Sequence, residues 1–148
     1  MNRSLSIYFK WILSFIFISA GILKIFSPEN TGDILIFLFE VEYNTSLAIV
    51  YSIAAIEILL GASLFFGIKE KLTKMLIFFT CSLFLFVAIL GYTNGWEFAC
   101  GCFGRFSFGR FDVSMVFRNA LLLSMSIWII FGESIAKNMN PKGLITNN

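Results

Sequence analysis

The chain contains no histidine. This removes the commonest general base and a principal metal ligand, so histidine-driven acid–base catalysis and His-rich metal centres are excluded. Charge is scarce as well. Only 14% of residues are Asp, Glu, Lys or Arg, against roughly 25% in a soluble domain. So little polar surface cannot cover a water-exposed globule of 148 residues. The net charge is +2, and no dense basic run occurs, which argues against a nucleic-acid partner. With two prolines and 11 glycines, the chain falls outside the low-complexity classes. Cysteine is limited to Cys81, Cys100 and Cys102. What is abundant is apolar: 58% of residues are hydrophobic and 18% aromatic.

Those apolar residues form four runs, roughly 7–26, 47–67, 72–92 and 113–132. Each approaches the ~20 residues that cross a ~30 Å hydrocarbon core as a helix. A spanning segment must satisfy its own backbone hydrogen bonds, so helix is the expected form. The first run exceeds the ~7–15 apolar residues of a signal peptide. Ser19-Ala20-Gly21 is a poor cleavage site, so the run is read as retained. The expected fold is an all-α membrane protein, a single domain built as a four-transmembrane-helix bundle.

Positive charge orients such a bundle. Arg3 and Lys10 precede or open the first run, Lys69, Lys71 and Lys74 join the second to the third, and Lys137 and Lys142 lie in the tail. All fall on one side, read as cytoplasmic, with both termini inside. The opposite side holds Glu29, Asp33, Glu40, Glu42, Glu97 and Asp112, with Lys24, Arg105, Arg110 and Arg118 as its basic residues. The connection 68–71 is short enough to make the second and third helices antiparallel neighbours.

The first outer connection contains a shorter apolar stretch, Asp33 to Tyr43, centred on Ile34 to Phe39. Too short to span, it reads either as an interfacial or re-entrant helix packed near the outer surface or as a lipid-seated linker. The second outer connection carries Cys100-Gly101-Cys102-Phe103-Gly104, and Phe-Gly-Arg-Phe occurs in it twice, at 103–106 and 108–111. Aromatics and arginines there fit a headgroup-level belt.

The i, i+2 cysteine pair can close a small, strained disulfide, and Gly101 offers backbone angles closed to other residues. Strain makes such a bond easier to reduce. A cross-link over so short a loop stabilises little, so exchange chemistry suits it better than a permanent staple. Only the thiolate attacks a disulfide. Without histidine the activating charge must come from Arg105, or from Arg110 or Arg118 if the loop folds back. Inert cysteines, a structural cystine and Cu(I) ligation by two thiolates are the competing readings. A closed zinc site wants four ligands, and Met115 and Met125 add only weak ones. Cys81, mid-helix, reads as a small buried apolar residue.

Glu57 lies near the middle of the second run. An ionisable group at that depth is costly and marks a functional position. It is either protonated or paired, with Lys24 or Arg118 as partners. Lys24 also lies close enough to its helix end to snorkel to the interface. The favoured reading is a polar cluster of Glu57, Lys24 and Arg118 below the cysteine loop; a purely structural ion pair is the alternative. Ala54, Ala55, Gly61 and Ala62 would let helices approach closely there.

Phe17-x-x-x-Gly21-x-x-Lys24-x-x-x-Pro28, Glu57-x-x-x-Gly61, Cys100-Gly-Cys102-Phe-Gly104 and Arg118-Asn119 follow one another along nearly the whole chain. In that order they resemble the MauE branch of the DoxX-like membrane proteins. The resemblance implies a four-helix protein of the bacterial inner membrane, associated with thiol–disulfide chemistry. It implies that Cys100 and Cys102 exchange disulfides with a periplasmic thioredoxin-fold protein, a separate chain, while Lys24, Glu57 and Arg118 build the polar interior. Membrane enzymes of the DsbB and vitamin K epoxide reductase type use a second cysteine pair with a quinone, and this chain lacks that second pair. A membrane quinone is therefore a candidate acceptor only by direct transfer, with Trp96, Phe103 and Phe106 either lining a pocket for its ring or, the favoured reading, contacting lipid. A non-enzymatic scaffold or maturation subunit is the alternative from another class, alongside the Cu(I)-handling one.

Overall fold

The structure, a computed structural model, describes residues 3–96 and 113–138. Five helices make up nearly all of it: α1 (Arg3–Phe26), α2 (Glu29–Phe39), α3 (Tyr43–Phe66), α4 (Glu70–Thr93) and α5 (Val113–Asn138). Among the described residues there is no strand. α1, α3, α4 and α5 are long and apolar enough to cross a membrane. Large apolar side chains point out of the bundle all along them; Phe15 is 74% exposed and Phe26 79%. Such a surface suits lipid, not water.

Each helix end has a local cause. Pro28 disfavours helix in the residue before it, so α1 stops at Phe26 and α2 starts just beyond. α2 therefore covers Glu29–Phe39, four residues earlier than the apolar pattern placed it, with Glu29 in its first turn where the helix dipole favours an acid. It ends where Glu40 turns left-handed (φ 51°) and donates its N–H to the Ile36 carbonyl. Gly67 closes α3 in the same way, at φ 70°, the backbone region glycine enters most easily. α3 starts four residues before the apolar run, α4 starts two before it, and α1 four before it. Polar end turns are helical without being apolar. α5 likewise continues six residues past the run, to Asn138.

α1 packs most extensively on α3, α5 on α4 and on α1, whereas α3 and α4, though joined by a three-residue turn, make a much smaller contact. The main core gathers Leu13 and Phe17 of α1, Leu60 and Leu64 of α3, Ile77 and Cys81 of α4, and Leu122, Met125 and Ile129 of α5. A second core closes the α2 end: Ile34, Ala88 and Met115, with Trp96 and Val116 packed against them. At the other end, Lys10 of α1 bonds Glu70 of α4, which Lys74 also reaches at 3.4 Å.

The α1–α3 contact depends on two glycines. A Cβ at Gly61 would lie 2.7 Å from Ile18 Cγ1 and 2.9 Å from the Ser14 carbonyl oxygen. One at Gly21 would lie 2.6 Å from Ile58 Cγ1 and 2.7 Å from the Ala54 carbonyl oxygen. Backbone cannot step aside, so any side chain pushes the helices apart. Ser14 uses the proximity to donate a hydrogen bond to the Gly61 carbonyl at 2.6 Å. Helix propensity alone would make Gly61→Ala favourable by about 1 kcal/mol. The expected result is the opposite sign, a net loss of about 1–3 kcal/mol from overpacking. Denaturant titration in micelles reads it; a stabilised Gly61→Ala protein would show that α1 and α3 are not so closely apposed.

Candidate functional site

Lys24 and Glu57 meet inside the bundle. Lys24 Nζ donates to both carboxylate oxygens of Glu57, at 2.8 Å each, and both side chains are 1% exposed. Their helix positions are offset, and side-chain direction closes the gap. A helical side chain leans toward its own N-terminus. α1 and α3 run in opposite directions, so Lys24, near the end of α1, leans into the bundle, and Glu57 leans up to meet it. Lys24 thus points away from the near interface and does not snorkel. Its ammonium also sits 5.1 Å from the centroid of the Phe84 ring, within cation–π range.

The pair is sealed because α1 and α3 touch around it. Gly21 and Ala54 lie one turn from Lys24 and Glu57, and the close approach of their backbones covers the pair on that side. A charge so enclosed is costly unless paired and hydrogen-bonded, and the bidentate geometry meets both needs. Beside Glu57 lies a cavity of about 20 Å³, which Cys81, Phe84 and Asn119 also line. That is room for about one water. Asn119 is 2% exposed and donates its Nδ2 to the Met115 carbonyl at 3.0 Å.

Arg118 stands on α5 beside Asn119 and is half-buried. Among the described residues no salt bridge joins it to Glu57, whose oxygens Lys24 takes; Arg118 has other contacts of its own. The polar interior is therefore a Lys24–Glu57 pair with Asn119 and Cys81 next to it, and Arg118 stands outside the ion pair. Cys81 is a free thiol, 2% exposed, packed in the main core. Asn119 was overshadowed in the sequence by its charged neighbour; its spacing of four from Met115, three from Leu122 and seven from Ser126, all buried, puts it on the inward face of α5.

Cys100, Cys102 and Arg105 lie outside the described residues, as do Phe103 and Phe106. The two ends of their segment are described. On one side Trp96 stacks edge-on against Phe37 of α2, ring centroids 5.5 Å apart. On the other, Met115 and Val116 join Trp96 and Ile34 in the second core. Met115 and Met125 are both occupied in packing. Among the described residues no three potential His, Cys, Asp or Glu ligands cluster.

Four apolar helices around a charged pair define a multi-pass membrane protein. The chain belongs to the MauE family: the family profile described as Methylamine utilisation protein MauE matches residues 2–132. It is thus a membrane protein of a family named for methylamine utilisation. No curated protein and no solved structure matches it.

Proposed function

We propose that this chain is a thiol–disulfide exchange protein of the bacterial inner (cytoplasmic) membrane, with Cys100 and Cys102 as its reacting groups. The observation that carries the reading is where the cysteine segment is tethered. Both of its ends are packed on α2 at one end of the bundle, through Trp96 and through Met115. The opposite end bears Lys10, Lys69, Lys71 and Lys74. Positive residues favour the cytoplasmic side, so both termini lie inside and the cysteine pair faces the periplasm, where disulfides persist.

The partner is a periplasmic thioredoxin-fold protein, a separate chain. One of its thiolates attacks a sulfur of the Cys100–Cys102 disulfide, giving a mixed disulfide and freeing the other cysteine as thiolate. The partner's second thiol resolves the mixed bond. Two electrons thereby pass from the partner to the pair, whose sulfurs end as thiols after taking up two protons. Exchange is reversible, and the acceptor's potential sets its direction. Arg105, three residues past Cys102, supplies the positive charge that favours a thiolate. Lys24 and Glu57 hold α1 against α3 beneath, and Arg118 is a third positive group at that end. A membrane quinone is the candidate two-electron acceptor that reoxidises the pair. The ordered motifs also ally the chain with DoxX-like proteins.

The test is oxidation of a periplasmic thioredoxin-fold client in membranes bearing each variant. Cys100→Ser and Cys102→Ser are expected to abolish it while the protein inserts normally, and Cys81→Ala is expected to retain it. Unimpaired client disulfides in both loop variants would favour a scaffold or maturation subunit instead. Copper retained by the reduced, anaerobically purified protein would favour Cu(I) handling.

A further inference from the structure

We propose that the groove between α3 and α4 at the basic end of the bundle is a binding site for one anionic phospholipid. The tight turn Gly67–Lys69 joins two helices that make only a small contact with each other, and a groove of about 280 Å³ is lined by both. Its walls are apolar and uncovered: Ile56 is 54% exposed, Ile68 55% and Leu72 53%. At the mouth stands Lys69, exposed, and held left-handed at φ 43°. That conformation is uncommon for a residue with a side chain and marks a constrained position. Thr73 helps impose it, donating its hydroxyl to the Ile68 carbonyl at 2.9 Å.

Depth selects the occupant. From the end of α3 at Phe66 to Ile56 is ten residues, about 15 Å along the helix. That is half of a ~30 Å hydrocarbon core, the depth of one leaflet. A spanning helix from a partner would need a groove twice as long. The groove matches an acyl chain whose headgroup rests at the turn. Charge selects the headgroup. Lys69 is at the mouth, Lys71 is two residues further on in the first turn of α4, and the α4 N-terminus adds unpaired backbone N–H groups with partial positive charge. The nearest acid, Glu70, is engaged by Lys10 and Lys74. A phosphodiester carrying net negative charge fits this mouth better than a zwitterionic headgroup.

The site is independent of the thiol chemistry, and its test needs no client. The whole protein, purified in detergent, is incubated with phosphatidylglycerol and phosphatidylcholine of identical acyl chains, and bound lipid is counted by native mass spectrometry. Phosphatidylglycerol is expected to be retained preferentially. Lys69→Gln is expected to lower its retention about five-fold, as one lysine near a membrane surface contributes about 1 kcal/mol, and Lys71→Gln less than two-fold. Ser63→Phe, which fills the groove, is expected to remove one bound lipid. Equal retention of the two lipids, or equal effects of the two lysine variants, would overturn the proposal. So would a Ser63→Phe protein that loses a dimer but keeps its lipid, since a second copy would then be the occupant.

Discussion

Glu57→Leu is expected to lower the stability of the folded bundle by about 3–5 kcal/mol, and Lys24→Met by a similar amount. Each single change leaves the other group charged, 1% exposed and without its counter-ion. The contribution of the pair itself is smaller. Two charges withdrawn from water are costly, and their mutual attraction only offsets that cost. The double variant Lys24→Met/Glu57→Leu removes both and fills the space with apolar groups. It is expected to recover most of the loss, giving a large coupling energy in the double-mutant cycle. Equilibrium unfolding in mixed micelles measures all four proteins. Single variants each costing under about 1 kcal/mol would mean that the pair is hydrated or exchanged for other partners.

The same cycle separates packing from chemistry. If the pair only holds α1 on α3, the double variant regains stability and thiol exchange together. If it acts in exchange as well, the double variant folds but stays inactive. Stability alone would not distinguish these roles, because both require the single variants to be damaged.

The second large effect concerns the two cysteines, whose single replacements are expected to be unequal. Both block net oxidation, because a disulfide needs both sulfurs. A single-cysteine variant has no disulfide to be attacked, so the trap itself supplies the oxidised sulfur: a partner keeping only its attacking cysteine is first blocked as a mixed disulfide with thionitrobenzoate. The variant's remaining thiolate displaces thionitrobenzoate and forms the protein–protein bond, which no second thiol on either side can then displace. Whichever of Cys100→Ser and Cys102→Ser keeps the sulfur that is attacked in normal exchange is expected to accumulate this complex, cleared by reductant, and the other far less of it. Arg105→Gln is expected to slow the reaction without abolishing it, since it removes charge but no sulfur. If neither variant traps a partner, the pair is a cystine or a metal ligand, not an exchange centre.

The four spans were legible because lipid demands ~20 apolar residues in helical form, and their ends were less so. Tyr43 to Ser46 and Glu70 to Lys71 are helical at the membrane surface, where polarity no longer distinguishes helix from loop. α2 was displaced for the same reason: its apolar centre was evident, whereas Pro28 fixes its start. The charges at Lys24 and Glu57 were conspicuous as residues, and their pairing was one of the expected arrangements that the structure bears out; which partner Glu57 takes was not legible. It depends on opposed helix directions and on the lean of both side chains, neither of which a depth count includes. Arg118 drew attention by its charge, while the adjacent Asn119 faces the cavity beside Glu57. The closeness of α1 and α3 was foreshadowed by Gly61 and the alanines around Glu57. The contribution of Gly21 required the contact itself.

The most direct test of the central claim is compartment-selective maleimide labelling of intact cells carrying the Cys81→Ala protein, with and without reductant. The account predicts that Cys100 and Cys102 are unreactive at first and become labelled from the outside after reduction, as a periplasm-facing disulfide must. Labelling without reductant would mean that the pair rests as thiols. Labelling only from the cytoplasmic side would invert the topology and contradict the exchange mechanism built on it.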